Sequence, residues 1–300
     1  VSFNAAVNMI GADLWNTFSK YGFTVIPLFI FMGYLAFNAG IAERLYDATY
    51  KWVGHWRGGL AIATIAADEL FAAICGSNTA TTATMGAVAL PQMKKYNYDP
   101  RLSSGTIATG GTLGVVMPPS VVMVIIGLQT EQSIAKLFLG GILPALLLGG
   151  LFVLTIVILC RIYPHYGPAG PVVGMDERIK SLKGVIEALI IFLLVIGGLY
   201  IGIFTPTEAG AMGVFFTLCV SLATRRLNWK GILRSFTETL KISCLVYMLV
   251  AGAIIFGRFL AVTRLPFEIA EYAAALPVSP YVILAIIMLI YLIGGCFMDS

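Results

Sequence analysis

The apolar run between Arg57 and Lys94 is interrupted by Cys75-Gly76-Ser77-Asn78-Thr79-Ala80-Thr81-Thr82, and positive charge stands at both of its ends. Lys51 and Arg57 precede it; Lys94, Lys95 and Arg101 follow it. Lys and Arg mark the cytoplasmic side of a membrane segment, so both ends face the same way. A hydrophobic segment that starts and finishes on one side cannot be a simple span. It reads as a re-entrant hairpin over about residues 58–93. Its small polar tip then lies inside the bilayer, where irregular backbone persists only if it is buried in protein or lines a wet cavity.

Composition fixes the class. The 300 residues are 59% hydrophobic and 11% charged, against roughly 25% charged in soluble domains. The chain is therefore expected to be an all-α polytopic membrane protein. Apolar runs of about 20 residues are candidate spans: Tyr21 to Asn38, Leu102 to Gly127, Leu137 to Tyr163, Gly184 to Phe204, Thr207 to Thr224 and Thr239 to Phe259. Threaded alternately, they leave only Lys20, Lys136, Arg258 and Arg264 of the 19 Lys and Arg residues on the non-cytoplasmic side. The net charge of +4 is thus a topology signal, with membrane lipid as the partner and no nucleic acid implied. Residues 1–20, with Trp15 and Phe18, fit an interfacial segment. The first residue is Val1 and the last residues lie in an apolar run, so the chain reads as a fragment of a longer protein.

The five cysteines lie in apolar segments without C-x-x-C spacing, which argues against a metal cluster or disulfide framework. His55 and His165 lack the neighbours that zinc or nucleophilic chemistry needs. No catalytic residue, organic cofactor or resident metal is indicated.

The order of elements repeats. A span, an amphipathic piece (Ile41 to Tyr50, then Leu265 to Tyr272) and an apolar arm running into small residues (Leu60 to Ser77, then Pro280 to Ser300) occur twice. Only the first copy is flanked by cytoplasmic charge, so the copies face opposite ways, as in the inverted repeats of many secondary transporters. The expected organisation is a first repeat over 1–163, containing the hairpin and a broken helix at about 102–127, a cytoplasmic loop over 164–183, and a second repeat over 184–300 that stops inside its hairpin.

Two interruptions carry candidate chemistry. Carbonyl, hydroxyl and amide oxygens at the tip, from Gly76, Ser77 and Asn78, can replace the hydration shell of a small cation. The start of the returning helix, near Asn78 to Thr81, suits a carboxylate; a Ser/Thr-rich helix contact is the plainer alternative. The second interruption, Gly110-Gly111-Thr112-Leu113-Gly114-Val115-Val116-Met117-Pro118-Pro119-Ser120, falls inside a span, where adjacent prolines free earlier carbonyls. Asp68 and Glu69 are unexpected in an apolar arm; a wet or subunit-facing position and substrate or proton work both remain open. Thr205-Pro206-Thr207-Glu208 reads as a capping box. Arg258 and Arg264 could meet a carboxylate, but snorkelling at a span end is the stronger reading.

The strings GSNTATTATMG, GTLGVVMPPS and FTPTEAGA resemble those of the large membrane subunit of tripartite ATP-independent periplasmic (TRAP) transporters. The resemblance implies a multi-pass subunit in the cytoplasmic (inner) membrane of a bacterium or archaeon. It implies an elevator of the ion-transporter superfamily, with inverted repeats, re-entrant hairpins and broken helices. It further implies Na⁺ as coupling ion, a small carboxylate substrate such as a C4-dicarboxylate or sialic-acid-like sugar acid, a small four-helix membrane subunit and a periplasmic substrate-binding protein. Carried over by position, Gly76, Ser77 and Asn78 with Gly114, Val115, Met117 and Pro119 would hold Na⁺. Thr79, Thr81 and Ser120, with Asp299 and Ser300 at the second tip, are candidate substrate contacts. Many members have serine at positions 75 and 78; the Asn78 oxygen can coordinate, whereas the Cys75 thiol replaces a hydroxyl poorly. The alternatives are a stand-alone Na⁺/dicarboxylate symporter or ion antiporter of the same fold, a membrane-embedded enzyme, and a purely structural subunit.

Overall fold

The computed structural model describes residues 3–275 and 278–297. Among the described residues all regular structure is helical. In chain order the helices are α1 (Phe3–Ser19), α2 (Val25–Asn38, after a 3-10 turn at Tyr21–Thr24), α3 (Ile41–Val53), α4 (Gly59–Cys75), α5 (Asn78–Lys95) and α6 (Pro100–Gly111). They continue as α7 (Leu113–Val116), α8 (Val121–Gln129), α9 (Ile134–Ile162), α10 (Met175–Ile201), α11 (Pro206–Ala223), α12 (Trp229–Val262), α13 (Leu265–Ala275) and α14 (Pro280–Gly295). Contacts divide them into one body of residues 21–243 and another of residues 1–20 with 244–300. The boundary between these bodies falls inside α12, whereas the expected repeats rest on element order and polarity.

Within residues 21–243, α4 is the element around which the others assemble. It touches α2, α3, α5, α6, α7, α9 and α10. Its sequence explains this: Ala61, Ala63, Ala67, Ala72 and Ala73 stand among Leu60, Ile65, Phe71 and Ile74, so apart from Thr64, Asp68 and Glu69 the helix is apolar and thin enough for close approach. All of these apolar residues are buried. By contrast α3 buries only the stripe Ile41, Ala42, Leu45, Tyr46 and Ala48, the spacing of an amphipathic helix.

The ends of the α4–α5 helix pair meet. The Leu60 amide donates to the Tyr98 hydroxyl at 3.1 Å, joining the start of α4 to the connection after α5. The segment following α9 fastens both: the Gly58 amide donates to Gly167 O at 2.8 Å, the Asp99 amide to Tyr166 O at 3.0 Å, and the Gly170 amide to Gly54 O at 2.9 Å. The 164–183 connection, expected only as a loop, therefore begins as the clasp of the hairpin base.

Six helical stretches are long and apolar enough to cross a membrane: Tyr21–Asn38, Pro100–Gln129, Ile134–Ile162, Met175–Ile201, Pro206–Ala223 and Trp229–Val262. They coincide with the six spans read from the sequence. The protein covers 56% of the apolar window of Pro100–Gln129 but 17% of that of α9 and 11% of that of α12, so the latter two present their apolar surface outward.

In the body made by residues 1–20 and 244–300, the expectation for Arg258 is corrected. The first segment is a 17-residue helix held to α12, because the Asp13 carboxylate receives both Nε and Nη2 of Arg258 at 2.6 Å. Arg258 thus neither snorkels alone nor waits for a ligand; a fork-to-fork pair with Asp13, which is 5% exposed, takes it up. Phe18 adds an edge-on contact with Tyr247. Asp299 and Ser300 lie outside the described residues.

Arg44 of α3 pairs with Glu187 of α10 at 2.6 Å. Burial lowers the Arg44 guanidinium from its ordinary range, and the Glu187 carboxylate opposes that shift. A double-mutant cycle with Arg44→Met and Glu187→Gln is expected to give a coupling of about 1 kcal/mol in denaturant unfolding of the detergent-solubilised protein. Additive single effects would show that the pair does not tie α3 to α10.

Candidate functional site

The hairpin tip is built from two helix ends. α4 stops at Cys75 because Gly76 turns left-handed (φ +62°), the conformation glycine adopts at little cost, and its amide closes back onto Ala72 O at 3.1 Å. Ser77 is extended, and its hydroxyl accepts from the Ala80 amide at 3.5 Å, capping α5. One turn into α5, the Thr82 hydroxyl donates to Asn78 Oδ1 at 3.2 Å, orienting that amide.

The broken span is built from the same grammar. α6 and the single turn α7 run to Val116, then Met117 goes extended and α8 begins after Ser120. Pro118 and Pro119 stand four residues after Gly114 and Val115, so neither can supply the amide those carbonyls would accept from in a continuous helix. The Ser120 hydroxyl donates to Val115 O and also accepts from the Met123 amide at 3.5 Å, repairing one side of the break and capping α8.

Tip and break fit into each other. The Val121 amide donates to Gly76 O at 3.2 Å. A Cβ on Gly76 would collide with the Pro119 carbonyl oxygen. One on Gly114 would come within 2.8 Å of Ser77 O and 3.0 Å of Thr81 Oγ1. One on Gly111 would meet Thr82 Oγ1, with Asn78 Oδ1 at 3.0 Å. The two interruptions are thus one joint, in which the C-terminal ends of α4 and α7 bring carbonyls and the N-terminal ends of α5 and α8 bring amides. Carbonyl, hydroxyl and amide oxygens suit a cation; the N-terminal ends suit an anion.

Of the residues singled out in the sequence, Gly76, Ser77, Asn78, Thr81, Gly114, Val115, Pro119 and Ser120 come to this joint. Met117 lies in the break and is buried. Thr79 is exposed, away from the seam. Ser120 is committed to capping and to Val115. Thr82 and Gly111 were not singled out as ligands; the i, i+4 spacing of Thr82 from Asn78 is the signal that could have found the former. Glu208 forms the capping box with Thr205, as expected.

A family model described as tripartite ATP-independent periplasmic transporter, DctM component, matches residues 2–300. The chain belongs to this family. Relatives of the TRAP large permease type include the C4-dicarboxylate protein DctM of Pseudomonas aeruginosa, 35% identical over 295 residues, covering 98% of this chain and 69% of the relative. The 2,3-diketo-L-gulonate protein YiaN of Escherichia coli is 31% identical over 294 residues (98% and 69%). The sialic acid protein SiaM of Vibrio cholerae is 29% identical over 298 residues (99% and 69%). Membership makes the chain a multi-pass permease of the bacterial inner membrane, a transporter rather than an enzyme. It also decides for the TRAP family over the stand-alone carrier.

Two glycines on the hairpin give a paired test. Gly76→Ala adds a left-handed penalty of about 1 kcal/mol to the collision with Pro119 and is expected to reduce uptake at least tenfold. Gly86→Ala, whose Cβ would meet Ile107 Cγ2 at 3.7 Å, should retain uptake and gain up to about 1 kcal/mol in stability. Equal effects of the two on uptake would remove the joint from the transport machinery.

Proposed function

We propose that this chain is the substrate-translocating part of a Na⁺-coupled TRAP transporter for a small organic acid. Na⁺ is cargo that drives uptake, and the chain does no chemistry on the acid. The observation that carries the reading is the joint of tip and break: two interrupted helices meet, and their unpaired ends supply ligands for a cation and a dipolar seat for a carboxylate in one place. Gly76, Ser77 and Asn78 with the backbone of Gly114, Val115, Met117 and Pro119 would hold the ion. A cation held there adds positive charge beside the α5 and α8 N-terminal ends and attracts the carboxylate, so binding of the ion and of the acid reinforce one another.

The substrate class is supported by the relatives' names, since C4-dicarboxylates, 2,3-diketo-L-gulonate and sialic acid all carry a carboxylate. The TRAP family name supports two partners, a small membrane subunit and a periplasmic substrate-binding protein. The outward apolar surfaces of α9 and α12 support contact with lipid or with that small subunit. In the proposed elevator, the hairpin and broken helix travel together, which agrees with their mutual hydrogen bonding.

The test uses the full-length protein in proteoliposomes with its small subunit and cognate binding protein. Uptake of radiolabelled organic acid is expected to require an inward Na⁺ gradient. Ser77→Ala and Asn78→Ala are expected to raise the Na⁺ concentration for half-maximal uptake several-fold, with little change in thermal stability. Unchanged Na⁺ activation in both variants would remove the cation site.

A further inference from the structure

The proposed transport chemistry uses neither of the consecutive acids of α4. Asp68 is 0% exposed, and neither of its carboxylate oxygens has a hydrogen-bond partner among the described residues. Its Oδ2 lies over Gly110 of α6 so closely that a Cβ there would strike it, and Ile65 Cδ1 would be 3.3 Å from the same Cβ. Glu69, half-buried, turns the other way, with Oε2 over Gly149 of α9. Each acid therefore sits on a glycine of a different helix.

A carboxylate sealed from water with no donor is strongly disfavoured unless a cation accompanies it. Neither oxygen has a hydrogen-bond partner among the described residues, and beside Oδ2 at the Gly110 Cβ position stands the Ile65 methyl, so the described contacts supply no set of oxygens for a metal ion. A proton needs one oxygen and no shell. The titratable residues on the elements packed against α4 include Tyr34 of α2, Arg44 and Tyr46 of α3, Lys94 of α5, Arg101 of α6, Arg161 of α9 and Glu187 of α10; α7 has none. The charged group set beside Asp68 is its own neighbour Glu69. Glu69 is also an acid, so it offers no balancing charge.

The position couples this proton to the joint. Gly110 receives Asp68, and the adjacent Gly111 receives Thr82 and Asn78 from the tip side. We propose that Asp68 is a proton-binding residue that controls the hairpin: its carboxylic acid form keeps α4 seated on α6, and loss of the proton opens that seam. On opening, the O–H bond breaks, the electron pair stays on the carboxylate and the proton passes to entering water. Alkaline conditions thereby loosen the joint on which uptake depends. The uptake consequence rests on the transport reading above; the protonation itself does not.

Infrared difference spectroscopy on the purified full-length protein, with isotope-labelled aspartate, reads the proton directly. Wild type at neutral pH is expected to show a carboxylic-acid C=O band that disappears on alkalinisation. Asp68→Asn should lack the band, and Glu69→Gln should keep it. In proteoliposomes, wild-type uptake is expected to fall several-fold from acid to alkaline pH, and Asp68→Asn should abolish that dependence. A wild type without the aspartic-acid band, a band that survives in Asp68→Asn, a band lost in Glu69→Gln, or an unchanged pH profile in Asp68→Asn would each overturn the proposal. If Asp68→Asn does not fold, loss of the labelled band in wild type with rising pH decides. If wild type moves no acid at all, the transport reading fails and the band alone judges the proton.

Discussion

Every interrupted helix in an apolar layer leaves backbone groups that neither water nor hydrocarbon can satisfy. This chain interrupts two helices and lets each break answer the other. Gly76 offers a carbonyl where α4 ends, and Val121 offers an amide where α8 begins. Ser77 and Ser120 each cap the helix that follows them, so the same short device, a small turn followed by a serine, closes both gaps. The consequence is a polar seam of backbone and small side chains embedded among apolar helices, built from uncharged residues.

The position of that joint depends on α4. A helix of alanines and scattered larger apolar residues can be approached from all sides, and seven other helices use it. The broken span meets α4 itself at Gly110, under Asp68, and meets Ser77 and α5 at Gly111 and Gly114. A bulkier helix in its place would hold the broken span away from the tip, so the fold of residues 21–243 and the geometry of the joint are one packing problem.

Much of this was legible in the sequence because membrane insertion writes strong signals. Same-sign flanks at Arg57 and Lys94 announced a hairpin whose base now closes through Leu60 and Tyr98. The Pro118-Pro119 pair announced the break between α7 and α8. The Arg258 pairing with Asp13 was not legible, since the partners are 245 residues apart and each alone reads as a charge near a helix end. The role of residues 166–170 was equally hidden, because a glycine-rich loop that donates and accepts through backbone leaves no side-chain signature. Asp68 stood out as an anomaly, yet its glycine seat on α6 is a tertiary fact that no local pattern encodes.

The clasp at the hairpin base gives the assembly unequal joints. Gly58, Asp99 and Gly170 bind the base to the segment after α9, and Leu60 binds its two strands of chain together, whereas the bond from Val121 to Gly76 fastens the tip. Each such bond contributes about 1 kcal/mol net, so more hydrogen bonding secures the base than the tip, which relies on packing against the break. The anchorage makes the hairpin a lever pinned by hydrogen bonds at its base, whose tip is held chiefly by its fit against the broken span, so any displacement of that span is felt where the ligands would sit.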